Sequence, residues 1–222
     1  MAGGQTVPVG QAGEVEAAGS LSIKIRTHMW LPWTRIAMKH EVMAQDARRD
    51  AQRLPAGGNP SPLLQREADA ALVCVCAAAF AIEAFYRRFL QQEFNLISKQ
   101  DRDGWKKADT AGHKRVLETL RRGFDLRGVE SRWRTELRWL FKLRGAAVHF
   151  TEDWKDPIPH PLGNNAAPEL VAYSAESAER AINLLVDVLV VCRDTPKAKT
   201  QKWSEDMRGA IDELIGRRGQ AG

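Results

Sequence analysis

Arg144 and His149 are the two residues of this sequence best suited by type and spacing to do chemistry, with Gly145, Ala146, Ala147 and Val148 between them. A histidine can take a proton from a hydroxyl or return one to a leaving oxygen, and a guanidinium can hold charge on a phosphate through its planar donors. Such a pair suits cleavage of a phosphodiester by a neighbouring ribose hydroxyl. Other chemistries lack their residues. His28, His40, His113, His149 and His160 are scattered, none at a metal-ligand interval with Cys or carboxylate support. Gly57 and Gly58 are not followed by the Lys and Ser or Thr of a phosphate-binding loop, and no serine stands in a nucleophile elbow. Glu152, Asp153 and Asp156 are the carboxylates nearest to a cation site, and a solvated loop is the simpler reading. The expectation is a chain with no metal and no cofactor.

Helical geometry decides what Arg144 faces. At 100° per residue, Trp133, Leu137, Leu140, Ala147 and Val148 form an inner stripe of a helix from Ser131 to about Val148, and Arg144 falls within about 20° of Trp133. An inward arginine needs a partner or a polar cleft, because an uncompensated buried charge costs several kcal/mol. Glu83 is a candidate partner, although it also pairs simply with Arg87 one turn on. His149 lies about 140° round the helix from Arg144 and about 7.5 Å along it, so the two do not share a face of an ideal helix. Gly145 is the place where such a helix could bend, or where a second helix could pack closely. Arg134, Arg138 and Lys142 line up at intervals of four on the flank and could follow a phosphate backbone, the alternative being a solvated charged face.

The rest of the chain predicts the scaffold. Residues 1–20 have no apolar period and read as a disordered tail; they carry neither the charged start nor the apolar stretch of a signal peptide. Leu21, Ile23 and Ile25 alternate as in a short strand, with Val171 to Tyr173 as a pairing partner. Helices are expected from about Pro32 to Leu54, from Leu63 to about Phe94 behind Ser61 and Pro62, over 104–109 and 111–122, and from Ser174, as cap, to Arg193. A weakly amphipathic helix over about 201–215 reads as appended, which divides the chain into 1–20, a bundle over 21–195, and 196–222. The apolar run Ala70 to Ile82 is shorter than the ~20 residues of a bilayer span and reads as a core helix, so no membrane is expected. Cys74, Cys76 and Cys192 have no framework spacing and fit small core residues in the cytoplasm. With 33 Lys and Arg against 28 Asp and Glu, the net charge of +5 permits a polyanionic partner without requiring one.

The segment Arg144 to His149 resembles the motif of the HEPN family of small helical-bundle proteins. The Ala-rich stretch Ala77-Ala78-Ala79-Phe80-Ala81-Ile82-Glu83-Ala84-Phe85, a later helix ending in Leu143-Arg144, a Pro-containing loop and a last helix beginning Ser174-Ala175-Glu176-Ser177-Ala178 follow in the family's order, over roughly residues 63–194. The same spacing also occurs at Arg35 and His40, where the surrounding helices do not match. The resemblance implies an all-α, up-and-down bundle with at most a minor two-stranded β element. It further implies a homodimer in which Arg144 and His149 of two protomers face one another and cut RNA without metal, with Arg138, Lys142 and Glu83 as accessory or phosphate-binding residues. Such proteins serve as toxins or in phage defence, where an antitoxin or other partner protein is expected. The alternative is a non-catalytic bundle that binds a partner protein, a nucleotide or RNA. Gly145, standing where active members commonly carry a polar residue, favours that alternative, while the inward-facing Arg144 favours the enzyme; the structural reading of the pair is Arg144 in an ion pair and His149 capping the last carbonyls of the helix.

Overall fold

Residues 61–88 contain no glycine and only Pro62, in the first turn where its missing N–H costs nothing, so nothing interrupts a helix once it has started. In the computed structural model, which describes residues 13–18, 22–91, 93–148, 156–163 and 165–220, this segment is the central helix of an all-α bundle. Helix α1 spans Trp30–Gln52, α2 Ser61–Arg88, α3 Lys99–Lys107, α4 Gly112–Gly123, α5 Glu130–Val148, α6 Pro168–Ala172, α7 Ala175–Asp194 and α8 Gln201–Gln220. Two small antiparallel sheets accompany them, β1 (Gly13–Ala18) with β2 (Ser22–Thr27) and β3 (Ile158–Pro159) with β4 (Asn165–Ala166).

Helix α2 is buried on nearly all sides because it packs against α1, α4, α5, α6 and α7. Its alanines make this possible. Ala71, Ala78, Ala79 and Ala81 are fully buried, as are Ala37 and Ala44 on α1, and side chains this small let helix backbones approach closely. Helix α1 presents Trp30, Thr34, Ala37, Glu41, Ala44 and Arg48, a stripe at alternating intervals of three and four, which is the seam that keeps two helices in contact along their length. By length and composition α2 is the one helix among the described residues that could cross a membrane, yet most of its apolar stretch is covered by its neighbours.

Aromatic residues close one end of the bundle. Phe85, Phe89, Phe124 and Trp203 meet edge to face, with ring centroids 5.0–6.1 Å apart, and Phe94 and Trp30 extend the cluster. Trp203 belongs to α8, which also buries Ile211 and Leu214. That helix is therefore part of the core, not an appendage. The Thr200 hydroxyl donates to the Gly123 carbonyl at 2.6 Å and the Ser204 hydroxyl to Cys192 at 3.1 Å, which tie its start to α4 and α7. A Cβ at Gly123 would stand 2.8 Å from Leu96 Cδ1, so a larger residue here would make the Leu96 side chain shift.

The sequence expectations meet several local corrections. Pro60, not Ser61, stands at the cap of α2, and Asn59 Oδ1 accepts from the Ser61 N–H at 3.0 Å. Ser174 does cap α7, accepting from the Ser177 N–H. The early strand pairs with Gly13–Ala18, inside the stretch read as a tail, while residues 171 and 172 are helical in α6 and Tyr173 follows it. A hairpin between neighbouring strands closes a far shorter loop than a pairing across the chain, and Pro168 in a first turn favours helix. Residues 1–12 and 19–21 lie outside the described residues.

Candidate functional site

Trp133, Leu137 and Leu140 are fully buried on the inner side of α5, and Arg144 continues that line one turn on. Its Nη2 donates to Glu83 Oε2 at 2.7 Å, while Glu83 Oε1 accepts from Arg87 Nη2 at the same distance, so one carboxylate of α2 serves both arginines. The guanidinium carbon of Arg144 stands 5.2 Å from the centre of the Phe80 ring and 5.9 Å from that of Phe141. Cation–π attraction adds to the ion pair in holding it there. The side chain retains 28% exposure, and its Nε is buried without a hydrogen-bond partner. Arg144 is thus anchored but not saturated. Beyond it the stripe ends: Ala147 is half-buried and Val148 is 64% exposed, because α5 runs past the helices that cover its earlier turns. The Tyr173 hydroxyl donates to the Leu143 carbonyl at 2.9 Å at this point.

Arg144 lines a cleft of about 490 Å³ between the second half of α5, the start of α4 and Glu83. Arg138 and Lys142 of α5 and Arg115 of α4 line the same cleft. Four sequence-derived candidates, Glu83, Arg138, Lys142 and Arg144, are therefore brought together, and Arg115 joins them. Arg134, expected to continue the row, faces a different cleft and bonds to Glu130 at 3.1 Å. His149 lies outside the described residues. The helix holds through Gly145 to Val148, and among the described residues nothing lies within 4 Å of a Cβ built at Gly145, so this glycine does not serve close packing against them. The second Arg–His pair, Arg35 and His40, sits on α1 and does not line the cleft.

His113 also lines this cleft. It occupies the first turn of α4, whose cap, Ala111, offers no side-chain acceptor to the turn's N–H groups. Gly112 sets its position: a Cβ there would stand 3.1 Å from two carbons of the Phe141 ring, so glycine lets α4 settle onto α5. Burial, and then the charges of Lys114 and Arg138, push the His113 pKa below its ordinary value and favour the neutral imidazole. Scanning the sequence for metal ligands could not find this residue. A Gly-His pair opening a basic amphipathic helix is the signal it leaves.

Charge pairing separates this cleft from two others. In the cleft of about 610 Å³ at the start of α5, Arg127 bonds to Asp125, Arg134 to Glu130 and Arg121 to Glu118. In the groove of about 600 Å³ between α5 and α7, Arg180 forks onto Glu136 and Arg132 bonds to Asp187. In the third, no carboxylate among the described residues pairs with Arg115, Arg138 or Lys142. Unpaired cations converging on one concave surface are the arrangement that a polyanion's phosphates fit. No three His, Cys, Asp or Glu among the described residues are grouped to hold a metal ion. Burial raises the pKa of all three cysteine thiols, so none is an activated nucleophile. No family model, curated protein or solved structure matches the chain.

Proposed function

We propose that the protein engages RNA along the cleft of α4 and α5 and cuts it as a metal-independent, HEPN-like endoribonuclease of the toxin or phage-defence kind. The observation that carries the RNA contact is the convergence of Arg115, Arg138 and Lys142, without partners among the described residues, beside an Arg144 whose side chain stays 28% exposed. Arg144 would meet the scissile phosphate, and its contacts to Glu83, Phe80 and Phe141 would hold it ready without reorganisation. His149, next in sequence after α5, would transfer the proton, with a second copy of the chain bringing its own α5 to complete the site. The only carboxylate lining the cleft among the described residues, Glu83, already serves two arginines and is a poor ligand for a divalent ion.

The Glu83–Arg144 pair also favours a second reading, in which the same cleft binds RNA or a nucleotide without cutting it, because a neutralised Arg144 stabilises developing charge less. One experiment separates the two. Purified wild type, His149→Ala and Arg144→Ala are incubated with total RNA in chelator, folding is checked by circular dichroism, and product ends are mapped. Cleavage leaving 2′,3′-cyclic phosphates, lost in folded His149→Ala by about a hundred- to ten-thousand-fold, is the expected outcome. Cleavage that chelator abolishes, or that folded His149→Ala retains, rejects the mechanism. Tight binding with no cutting selects the second reading. Light scattering at tens of micromolar tests the dimer.

A further inference from the structure

Resting on the reading that the cleft takes an RNA backbone, we infer that His113 accepts a hydrogen bond from the ribose 2′-hydroxyl and makes the site selective for RNA over DNA. The argument is one of donors and acceptors. Arg115, Arg138, Lys142 and Arg144 can only donate, and the N–H groups of the uncapped first turn of α4 do likewise. Both oxygens of Glu83 are engaged, by Arg87 and Arg144. His113 is then the one side chain lining the cleft, among the described residues, whose acceptor is not already bonded, provided its imidazole is neutral. On the ligand side the phosphodiester brings acceptors alone, which match the arginines and the lysine. The 2′-hydroxyl is the single donor on a nucleic-acid backbone, and DNA lacks it. This unbonded acceptor and the one donor on the strand are complementary.

The surroundings keep the imidazole in the form this requires. Lys114 flanks it on α4, Arg138 faces it from α5, and Arg115, Lys142 and Arg144 complete a cationic wall against Glu83 from α2, the single carboxylate lining the cleft among the described residues. Burial, and then Lys114 and Arg138, lower the His113 pKa and favour the neutral ring, in which one nitrogen can accept. Position supports the role as well. With Gly112 seated on Phe141, His113 lines the same cleft as Arg144.

The test is a binding measurement that needs no cleavage. Fluorescence anisotropy at low salt compares three labelled single-stranded oligomers of one uracil-only sequence: ribose, 2′-deoxyribose and 2′-O-methyl. Each is offered to wild-type protein, His113→Ala and His113→Gln. Wild type should prefer the ribose strand by about three- to tenfold, the worth of one neutral hydrogen bond, and should bind the other two alike. His113→Ala should lose the preference by weakening ribose binding to the deoxyribose level. His113→Gln retains an acceptor and should keep the preference. As pH falls from about 7.5 to 5, the imidazolium becomes a donor and an added cation, so all three strands should bind more tightly and the preference should close. Equal binding of ribose and deoxyribose strands by wild type, or a preference that survives in His113→Ala, overturns the inference and leaves the polyanion cleft standing. Absence of binding to any strand overturns the RNA reading and the inference with it.

Discussion

Two arginines of this protein, Arg48 and Arg144, both leave a helix towards the interior and both meet a glutamate of α2, yet only one has donors to spare. Arg48 is 6% exposed. Its Nε and Nη2 fork onto Glu67 at 2.9 and 2.5 Å, Nη1 and Nη2 reach Glu176, and Glu67 Oε1 also accepts from the Ala175 N–H at 2.7 Å. Burial works against the charge, but the bonds to Glu67 and Glu176 raise the Arg48 pKa above its ordinary value. This network staples the start of α7 to α1 and α2, and nothing in it is left over for a ligand. Arg144 makes one bond to Glu83, keeps a side chain 28% exposed and opens onto a cleft of cations unpaired among the described residues. Saturation marks the structural arginine and partial saturation the available one.

Breaking the saturated site should therefore cost the most. Arg48→Ala leaves Glu67, 1% exposed, without its counter-ion, and should destabilise the protein by about 3–5 kcal/mol in urea titration, as loss of one partner of a buried pair does. Arg144→Ala removes a pair whose side chains are 28% and 20% exposed, and should cost about 1 kcal/mol or less. A larger loss for Arg144→Ala than for Arg48→Ala would reverse the assignment of roles.

Acid should act on the same region. His160 is 3% exposed, and its Nδ1 accepts from the Leu162 N–H at 3.2 Å. Burial lowers its pKa, with Arg48 acting in the same direction and Glu67 and Glu176 against it. His40 and His113 are lowered too, in both cases by burial first. A histidine whose folded pKa lies below its unfolded value contributes stability that is present in full above the unfolded pKa, near 6.5, and lost as pH falls through the folded one. The melting temperature should thus be lower at about pH 5 than at about pH 7.5. His160→Gln should flatten that dependence; an unchanged slope would remove His160 from it.

Much of the scaffold and half of the cleft were legible in the sequence, for physical reasons. A helix wheel places Arg144 on the apolar line of Trp133, Leu137 and Leu140, and an inward charge must find a partner, which Glu83 provides. The uninterrupted run through Ala70 to Ile82 and the Ser174 cap are local signals, and local signals survive folding. His113 and the Arg48 network are tertiary facts. Arg48 sits among Asp46, Arg49 and Asp50, a run that reads as a solvated face until Glu67 and Glu176 arrive from other helices. α8 reads as weak because one residue, Trp203, carries much of its burial in the aromatic cluster.

The half-saturated arginine can also be made more available. Glu83→Gln removes the charge that neutralises Arg144 while keeping a side chain of the same length. It should tighten binding of a single-stranded RNA several-fold, steepen its salt dependence by about 0.7 in log–log slope for one added phosphate contact, and lower stability by about 1 kcal/mol or less. Arg138→Ala and Lys142→Ala should each shift the slope by the same amount in the opposite sense, with the melting temperature unchanged because neither side chain has a partner to lose among the described residues. Weaker binding by Glu83→Gln would mean that the carboxylate positions Arg144 more than it quenches it.

The smallest expected effect concerns the residue beside that arginine. Gly145 lies inside α5 with an ordinary helical backbone, and a Cβ there would meet nothing within 4 Å. Neither close packing nor a left-handed conformation requires glycine at this position, and glycine within a helix costs about 0.5–1 kcal/mol relative to alanine. Gly145→Ala should therefore stabilise the protein by that amount in urea titration. The gain should fall on the last turn of α5, which carries Arg144 to the cleft and leads directly to His149. If a looser last turn is what lets His149 approach a phosphate held by Arg144, the same substitution should slow RNA cleavage while leaving RNA binding as it was. Stabilisation with unchanged cleavage would show that the glycine is incidental to the site. Destabilisation would mean that residues following α5 pack against this turn.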